Sequence, residues 1–302
     1  MSTKTGEHSV MAASNKTQQH QVTLGQLPLG QHEQCQSRFN PPKRTKSTLS
    51  KYCALTLTLV LAGCGTQTTH PIAQQINDDL VLVEGGAFTM GSDQKSASKA
   101  EQPSRTVSVN SFYISKFEVT QALFESVMGS SMSYFAGDQI PVNNLSWQQA
   151  NYFIQRLNEL TGEEYRLPTE AEWEFAASGG NLSQGYLYSG SNNIEDVAWY
   201  AGNSKNQAHP VGLKAPNELG LYDMTGNVGE FVMDAFDDTF YRYGPTDNPN
   251  NAQDTDIKLA HKSLRGGSFS YPEKDSENFK RDFASQSIIM SDIGLRLAKD
   301  SD

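Results

Sequence analysis

Cysteine has the most reactive side chain in this sequence, and its distribution limits the chemistry that the chain can perform. The chain has three cysteines, Cys35, Cys53 and Cys64. None lies after residue 64, so the sequence excludes a thiol nucleophile, a disulfide and a cysteine metal site within residues 65–302.

Histidines could hold a metal or transfer protons, but their spacing gives little support for either role. After residue 64 the chain contains His70, His209 and His261. We interpret them as ordinary surface or core histidines, and a two-histidine iron site is the alternative that the sequence leaves open. The sequence has no G-x-S-x-G elbow, H-E-x-x-H helix or phosphate-binding loop. We interpret Gly266-Gly267-Ser268 as a turn that allows close backbone approach.

Residues 234–256 form an acidic stretch that could suggest metal binding. The stretch is rich in Asp and also contains Asn, Pro, Tyr241 and Tyr243. It lacks the D-x-D-x-D-G spacing of an EF-hand loop. We therefore predict a solvated loop here rather than a metal site.

The N-terminal region indicates export. Residues 1–42 are polar and without periodicity, and we interpret them as a disordered extension or as the product of a mis-assigned start. Residues 43–63 combine basic residues with the apolar run Tyr52–Ala62. This run is too short to span a bilayer and is typical of a signal peptide.

The end of the apolar run predicts a lipid anchor. Leu61-Ala62-Gly63-Cys64 resembles a bacterial lipobox, which implies that Cys64 begins the mature protein and carries acyl chains such as palmitate. Gly65 at the next position resembles the pattern of lipoproteins sorted to the outer membrane of Gram-negative bacteria. We predict that residues 64–79 are a polar tether.

The charge of the mature region argues against nucleic acid as a partner. The whole chain has a formal net charge of −10. Residues 64–302 contain 17 basic and 32 acidic residues, a net charge of −15. Phosphate groups would be repelled by such a surface.

Several elements follow from local sequence patterns. Alternating apolar residues predict strands, and Ser or Thr caps with apolar residues at helical spacing predict helices. The predicted strands are 80–83, 87–90, 105–109 and 112–119, and the predicted helices are 121–128, the segment from Ser146 to Gly162, and a short helix after Thr169.

The helix after Thr169 has the clearest start and end. Thr169 and Glu172 have the spacing of a capping box, which satisfies free N–H groups in the first turn. Trp173 begins an apolar stripe, and Gly179-Gly180 can supply the left-handed exit. These features predict a helix anchored in a core, and they predict no chemistry.

Nine blocks of sequence occur in an order that resembles one known family. They strongly resemble the sulfatase-modifying factor family, the formylglycine-generating-enzyme-like domains, over residues 80–300. The resemblance implies an α+β domain with little regular secondary structure, related to C-type lectin-like folds. The blocks are VEGGAFTMGSD (83–93), SFYISKFEVT (111–120), PVNNLSWQQA (141–150), RLPTEAEWEFAASGG (166–180), AWYAGN (198–203), HPVG (209–212), NELGLYDMTGNVGEF (217–231), LRGGSF (264–269) and IGLRLA (293–298).

The resemblance also implies where catalysis would occur. Formylglycine-generating members use a copper-binding cysteine pair two and seven residues after the aromatic of the R-G-G-S-aromatic block. Here these positions are Tyr271 and Ser276, and neither side chain can replace a thiolate. We therefore predict no catalytic residues, no copper and no formylglycine-generating activity. The alternative is an oxidoreductase or non-haem iron enzyme with a diverged site.

A calcium site is the metal site that the resemblance best supports. In enzyme members calcium lies beside the block that corresponds to LYDMTGNVGEF. Carried over, the resemblance implies one Ca²⁺ held by the Asp223 and Glu230 carboxylates and the Gly226 and Val228 carbonyls, and such oxygen ligands suit this ion. Gly229 and Phe231 replace tryptophans that are common in the family. The alternative is that the two carboxylates bind loop amides or an arginine.

These observations predict a non-catalytic envelope lipoprotein whose domain binds a protein or glycan. Family lipoproteins that lack the cysteines act in envelope machinery, which supports this interpretation by resemblance. The groove that holds a substrate peptide in the enzymes would become a binding groove, bordered by Phe269, Tyr271 and Arg281. For Phe269, ordinary core packing is the alternative.

Overall fold

The computed structural model describes residues 69–251 and 261–301. The predicted extension 1–42, the signal peptide 43–63 and the lipidated Cys64 lie outside these residues. The end of the acidic stretch, residues 252–256, lies outside them as well. These expectations therefore remain predictions.

The helices in the described residues are short, and α3 is the longest. The predicted helices at 121–128, 146–162 and after Thr169 are confirmed. No helix in the described ranges is long and apolar enough to cross a membrane. The helices are α1 (Pro71–Asp78), α2 (Gln121–Met128), α3 (Trp147–Thr161), α4 (Glu170–Ala177), α5 (Ile194–Val197) and α6 (Phe240–Tyr243).

The strands within 69–251 and 261–301 form three small sheets, which confirms an α+β fold with little regular structure. One sheet has the order β1-β4-β9, the second pairs β2 with β3, and the third has the order β7-β6-β5-β8. All pairings are antiparallel except β5 with β8, which is parallel. The strands are β1 (Leu80–Val83), β2 (Gly86–Met90), β3 (Arg105–Val109), β4 (Phe112–Ser115), β5 (Gly229–Ala235), β6 (His261–Arg265), β7 (Asp282–Ser285), β8 (Ile293–Leu295) and β9 (Ala298–Asp300).

The predicted strand 112–119 is shorter than expected. β4 ends at Ser115, whose hydroxyl donates to the Phe117 carbonyl at 2.9 Å. The Lys116 N–H donates to the Asp79 carbonyl, one residue before β1 begins. The chain therefore leaves the sheet at the level where its antiparallel neighbour β1 begins.

Part of the predicted tether is folded. Pro71–Asp78 forms α1, with Pro at the first position, where its missing N–H costs nothing. Ala73 and Ile76 are buried, and the Tyr165 hydroxyl donates to the Asn77 side chain at 3.1 Å. The prediction of a polar tether up to residue 79 is therefore wrong for these eight residues, because their apolar face packs on the domain.

Helix α4 lies at the centre of the domain and contacts β2, β3, β5 and β6. Its start is the predicted capping box: the Thr169 hydroxyl accepts the Glu172 N–H at 3.2 Å, and the Glu172 carboxylate accepts the Thr169 N–H at 2.8 Å. Its end is followed by Gly179 with a φ of 90°, as predicted. Trp173 is fully buried in the core. The helix thereby fixes the strands that carry the candidate site.

Candidate binding site

A cavity of about 390 Å³ opens beside the turn that follows β6. The Gly266-Gly267 turn leads from β6 to Tyr271, Asp282 begins β7, and Asp292 precedes β8. These three elements bring together residues that are distant in sequence. The charged and aromatic side chains lining the cavity are Glu101, Arg265, Tyr271, Asp275, Lys280, Arg281, Asp282 and Asp292.

Tyr271, one of the three residues predicted to border a groove, lines this cavity. Its hydroxyl donates a hydrogen bond to the Asp282 carboxylate. Burial and this bond to Asp282 raise the pKa of the Tyr271 phenol above its ordinary value. The side chain is therefore a neutral phenol at physiological pH.

Ser276 is buried next to the glycine turn. Its hydroxyl donates to the Pro272 carbonyl at 3.3 Å. Gly267 has a φ of 68°, and a Cβ atom on it would lie 2.5 Å from the Ser276 Oγ. The glycine turn therefore allows the close approach that its sequence predicts. Ser276 packs against Gly267 and is not among the residues that line the cavity.

Of the other two predicted groove residues, Arg281 lines the cavity and Phe269 does not. Phe269 is buried and packs with Ala208 and Val228, so the prediction that it borders the groove is wrong and the core-packing alternative holds. Arg281 does line the cavity. Its guanidinium donates to both oxygens of Glu170, at 2.7 and 2.8 Å, and to the Ala100 and Asp237 carbonyls, so most of its N–H donors are in use. Arg281 is thus part of the wall and of a buried ion pair.

The predicted calcium ligand Glu230 has other partners. Both of its oxygens accept hydrogen bonds from Arg296, at 2.8 to 3.1 Å. The Trp173 indole N–H donates to the same carboxylate at 2.8 Å. This buried pair satisfies the carboxylate without a metal, as in the arginine alternative.

Asp223 retains one oxygen without a partner. Its Oδ2 accepts the Gly212 N–H at 2.7 Å, whereas its buried Oδ1 makes no hydrogen bond. Burial raises the pKa of Asp223 to about 6. The nearby Glu118 is also buried, and burial raises the pKa of its carboxyl well above the ordinary range.

The two carboxylates among the four predicted calcium ligands therefore do not fit the ion well as a pair. Asp223 has a free oxygen, but Glu230 is already held by an arginine and a tryptophan. Within residues 69–251 and 261–301 there is no group of three His, Cys, Asp or Glu side chains that could hold a metal ion.

The described histidines have ordinary surroundings. His209 stacks on Trp199 with ring centroids 3.9 Å apart, and its Nε2 lies 2.8 Å from the Ser204 carbonyl. His261 is exposed and contacts the Phe283 ring edge-on. His70 caps α1 by accepting the Ile72 N–H. The three side chains thus have separate structural contacts.

Sequence reasoning missed the acidic wall of the cavity. Asp292 accepts hydrogen bonds from the Ser268 and Ser270 hydroxyls, at 3.0 and 2.6 Å. The spacing of Asp275, Asp282 and Asp292 carries no local pattern. Asp292 directly precedes the IGLRLA block of the family resemblance (293–298). This position was the one feature of the sequence that could have marked Asp292 as a site residue.

The comparisons with known proteins agree with this geometry. Residues 66–301 match the sulfatase-modifying factor enzyme 1-like domain. The chain is 37% identical to the chaperone protein LppX of Paenibacillus barcinonensis over 225 residues, which are 58% of this chain and 76% of that relative. It is 29% identical to the formylglycine-generating enzyme of Streptomyces coelicolor over 178 residues, 54% of this chain and 53% of that enzyme.

A solved structure shows the same fold. Treponema denticola variable protein 1 superposes with a TM-score of 0.65 at 28% identity, over 73% of this chain and 94% of that one. The family match covers well over half of the chain. The chain therefore belongs to the family of sulfatase-modifying factor enzyme 1-like domains.

Proposed function

We propose that this protein is a non-catalytic accessory module of the bacterial cell envelope that binds a partner protein at the cavity beside Tyr271. The observation that carries the proposal is the chemistry at the two positions where the resemblance implies a cysteine pair. Tyr271 is a neutral phenol bonded to Asp282, and Ser276 is packed under Gly267. Neither group supplies the soft, anionic sulfur that copper requires.

The cavity supports a binding role. It is large enough for one or two side chains of a partner, and its wall contains both charged groups and the apolar Leu264 and Ile293. Pockets with this mixture of apolar surface and a few placed polar groups are common ligand sites. Such a cavity can bind a partner without a catalytic centre.

Two further observations support the envelope and the accessory role. The Leu61-Ala62-Gly63-Cys64 sequence resembles a lipobox, and this supports export and lipid attachment at Cys64. The relative with 37% identity is named a chaperone protein, and this supports a role on other proteins rather than in small-molecule chemistry. We extend that role to this chain as part of the proposal.

Photo-crosslinking in cells tests the binding role. A photoreactive residue replaces Ser98, an exposed residue that lines the cavity, and a control variant carries it at Leu182, which is exposed and does not line the cavity. We expect a discrete crosslinked protein from the Ser98 position only. Equal crosslinking from both positions, or none, would contradict a partner site at the cavity. A glycan captured in place of a protein would also contradict it.

Metal and product analysis tests the absence of catalysis. Purified protein is incubated with copper and oxygen and with a cysteine-containing substrate peptide of the formylglycine-generating reaction. We expect no aldehyde product by mass spectrometry. Stoichiometric copper or iron in the purified protein, together with turnover, would overturn the non-catalytic assignment.

A further inference from the structure

The cavity beside Tyr271 contains more negative than positive charge. Each basic side chain in its wall already has a carboxylate partner. The cavity's positive charge is therefore neutralised internally and is not available to a ligand. The pairs are Arg265 with Glu174 (2.5 Å), Lys280 with Glu101 (3.6 Å) and Arg281 with Glu170 (2.7 Å).

Three lining carboxylates, those of Asp275, Asp282 and Asp292, have no basic partner among the residues that the structure describes. Asp282 is bonded to neutral donors, the Tyr271 hydroxyl and the Phe283 N–H. Unpaired charges in a partly enclosed cavity attract a ligand of opposite charge more strongly than charges on an open surface do. The cavity therefore favours a cationic group.

Of these three carboxylates, Asp292 has the surroundings that most favour a cationic ligand. Its side chain lines the cavity, and the residue is only 8% exposed. Its Oδ2 accepts the Ser268 and Ser270 hydroxyls, whereas its Oδ1 accepts no hydrogen bond from a described residue. A buried carboxylate without a counter-charge is costly. An ammonium or guanidinium group entering the cavity would supply both the charge and the missing donor.

An apolar patch lies on the two loops next to this cavity. We define the apolar patch as Met132, Tyr134, Ile288, Ile289 and Met290, all of which are exposed. Met132 is 79% and Tyr134 71% exposed. Clustered exposed apolar side chains indicate an interaction surface, and methionine is common where a surface must fit varied partners.

One residue, Asn144, joins the two loops that carry the apolar patch. The Asn144 N–H donates to the Met290 carbonyl at 3.1 Å, and the Asn144 side chain donates to the Met132 carbonyl at 2.7 Å. Asp292 follows Met290 by two residues and lines the cavity together with Ile293. The apolar patch and the acidic cavity are therefore neighbours.

We propose that the cavity and the apolar patch together bind one segment of a partner protein, in which a lysine or arginine reaches Asp292 and adjacent apolar side chains cover the patch. This inference rests on the proposed function and specifies the chemistry of the partner. Anionic lipid headgroups would be repelled by the carboxylates, and the net charge of −15 on residues 64–302 opposes binding of a second copy. A segment with one basic and several apolar residues would place a positive charge in the cavity and cover the apolar patch.

Fluorescence anisotropy with short labelled peptides tests the inference on the purified full chain. One peptide combines apolar residues with a single lysine, a second replaces the lysine by glutamate, and a third keeps the lysine but replaces the apolar residues by serine. We expect the first peptide to bind at least about tenfold more tightly than either of the others, a difference of about 1.4 kcal/mol.

Matched variants assign this preference to the two surfaces. Asp292→Asn keeps an acceptor for the serines but removes the charge, so it should reduce the preference for lysine over glutamate at least about tenfold, and Asp275 and Asp282 would account for any preference that remains. Ile289→Asp should weaken the binding of the peptides that contain apolar residues about tenfold. The controls are Glu164→Gln, an exposed acidic residue elsewhere, and Leu182→Asp, which is 60% exposed; both should leave binding unchanged.

Outcomes for the inference and for the proposed function can be told apart. Wild-type chain that binds the lysine and glutamate peptides equally would overturn the inference, even if no variant folds. Crosslinking of a partner at Ser98 that persists in both Asp292→Asn and Ile289→Asp would overturn it too, while leaving the proposed function intact. Ile289-dependent binding to vesicles or to a second copy, without peptide binding, would replace the inferred partner.

Discussion

Asp223 combines a buried carboxylate with a left-handed backbone, at a φ of 56°. Burial raises its pKa from the ordinary 3.8 to about 6. Between about pH 4 and pH 6 the folded chain therefore holds this proton more tightly than the unfolded chain does. Its contribution to the free energy of unfolding is complete at the acidic end of this range and is lost as the pH rises to 6.

Removing this charge should stabilise the domain at neutral and alkaline pH. Asp223→Asn keeps an acceptor for the Gly212 N–H and suits the left-handed conformation. We expect it to increase the free energy of unfolding at pH 8 by about 1–3 kcal/mol, and to have little effect at pH 4. Urea denaturation at both pH values measures the difference. Glu164→Gln, an exposed change, should show no such pH-dependent gain.

The same residue serves to test the calcium prediction. Because Arg296 and Trp173 already bind Glu230, we expect millimolar calcium to leave the melting temperature unchanged and to produce no heat in calorimetric titration. A calcium-dependent rise in melting temperature that Asp223→Asn removes would instead support the site that the resemblance implies. Magnesium at the same concentration controls for ionic strength.

At the scale of elements, one buried arginine joins several strands. Arg296, just after β8, pairs with Glu230 on β5. It also donates to the carbonyls of Ser115, Lys116 and Tyr222 at 2.8 to 3.0 Å. The four-stranded sheet and the sheet that contains β4 are therefore joined through one side chain.

Breaking this pair should destabilise the whole domain. Glu230→Gln removes the carboxylate that is hydrogen-bonded to the buried Arg296, and we expect the free energy of unfolding to fall by about 3–5 kcal/mol. Glu159→Gln disrupts the exposed pair with Arg156 and should cost less than about 1 kcal/mol. Thermal and urea unfolding compare the two variants. Similar effects from both would show that the buried pair is not a structural link.

Local signals predicted α2, α3 and α4 but not α1, α5 or α6, and they could not predict long-range pairing. Thr169 and Glu172 lie three residues apart, and their capping box can be recognised from spacing alone. The bond from Arg265 to Glu174 joins residues 91 positions apart, and no local pattern marks it. The acidic wall of the cavity was missed for the same reason. Tyr271 was found only because family resemblance marks its position.

At the scale of the whole molecule, the predicted lipid anchor would hold the protein at a membrane. If Cys64 carries lipid, Cys64→Ala should move the protein from the membrane fraction to the soluble fraction. Ultracentrifugation with immunoblotting measures this shift, and Gly65→Ser is a control that keeps the cysteine. A Cys64→Ala protein that stays in the membrane fraction would contradict the anchor.

Helix α1 limits how far such an anchored domain could stand from its membrane. α1 begins at Pro71, so only residues 65–70 separate it from Cys64. A fully extended chain covers at most about 3.5 Å per residue, which limits the gap to about 20 Å. A free segment up to residue 79 would more than double this reach. A lipidated form would thus work within the headgroup-proximal layer, and its partner would have to come to the membrane surface.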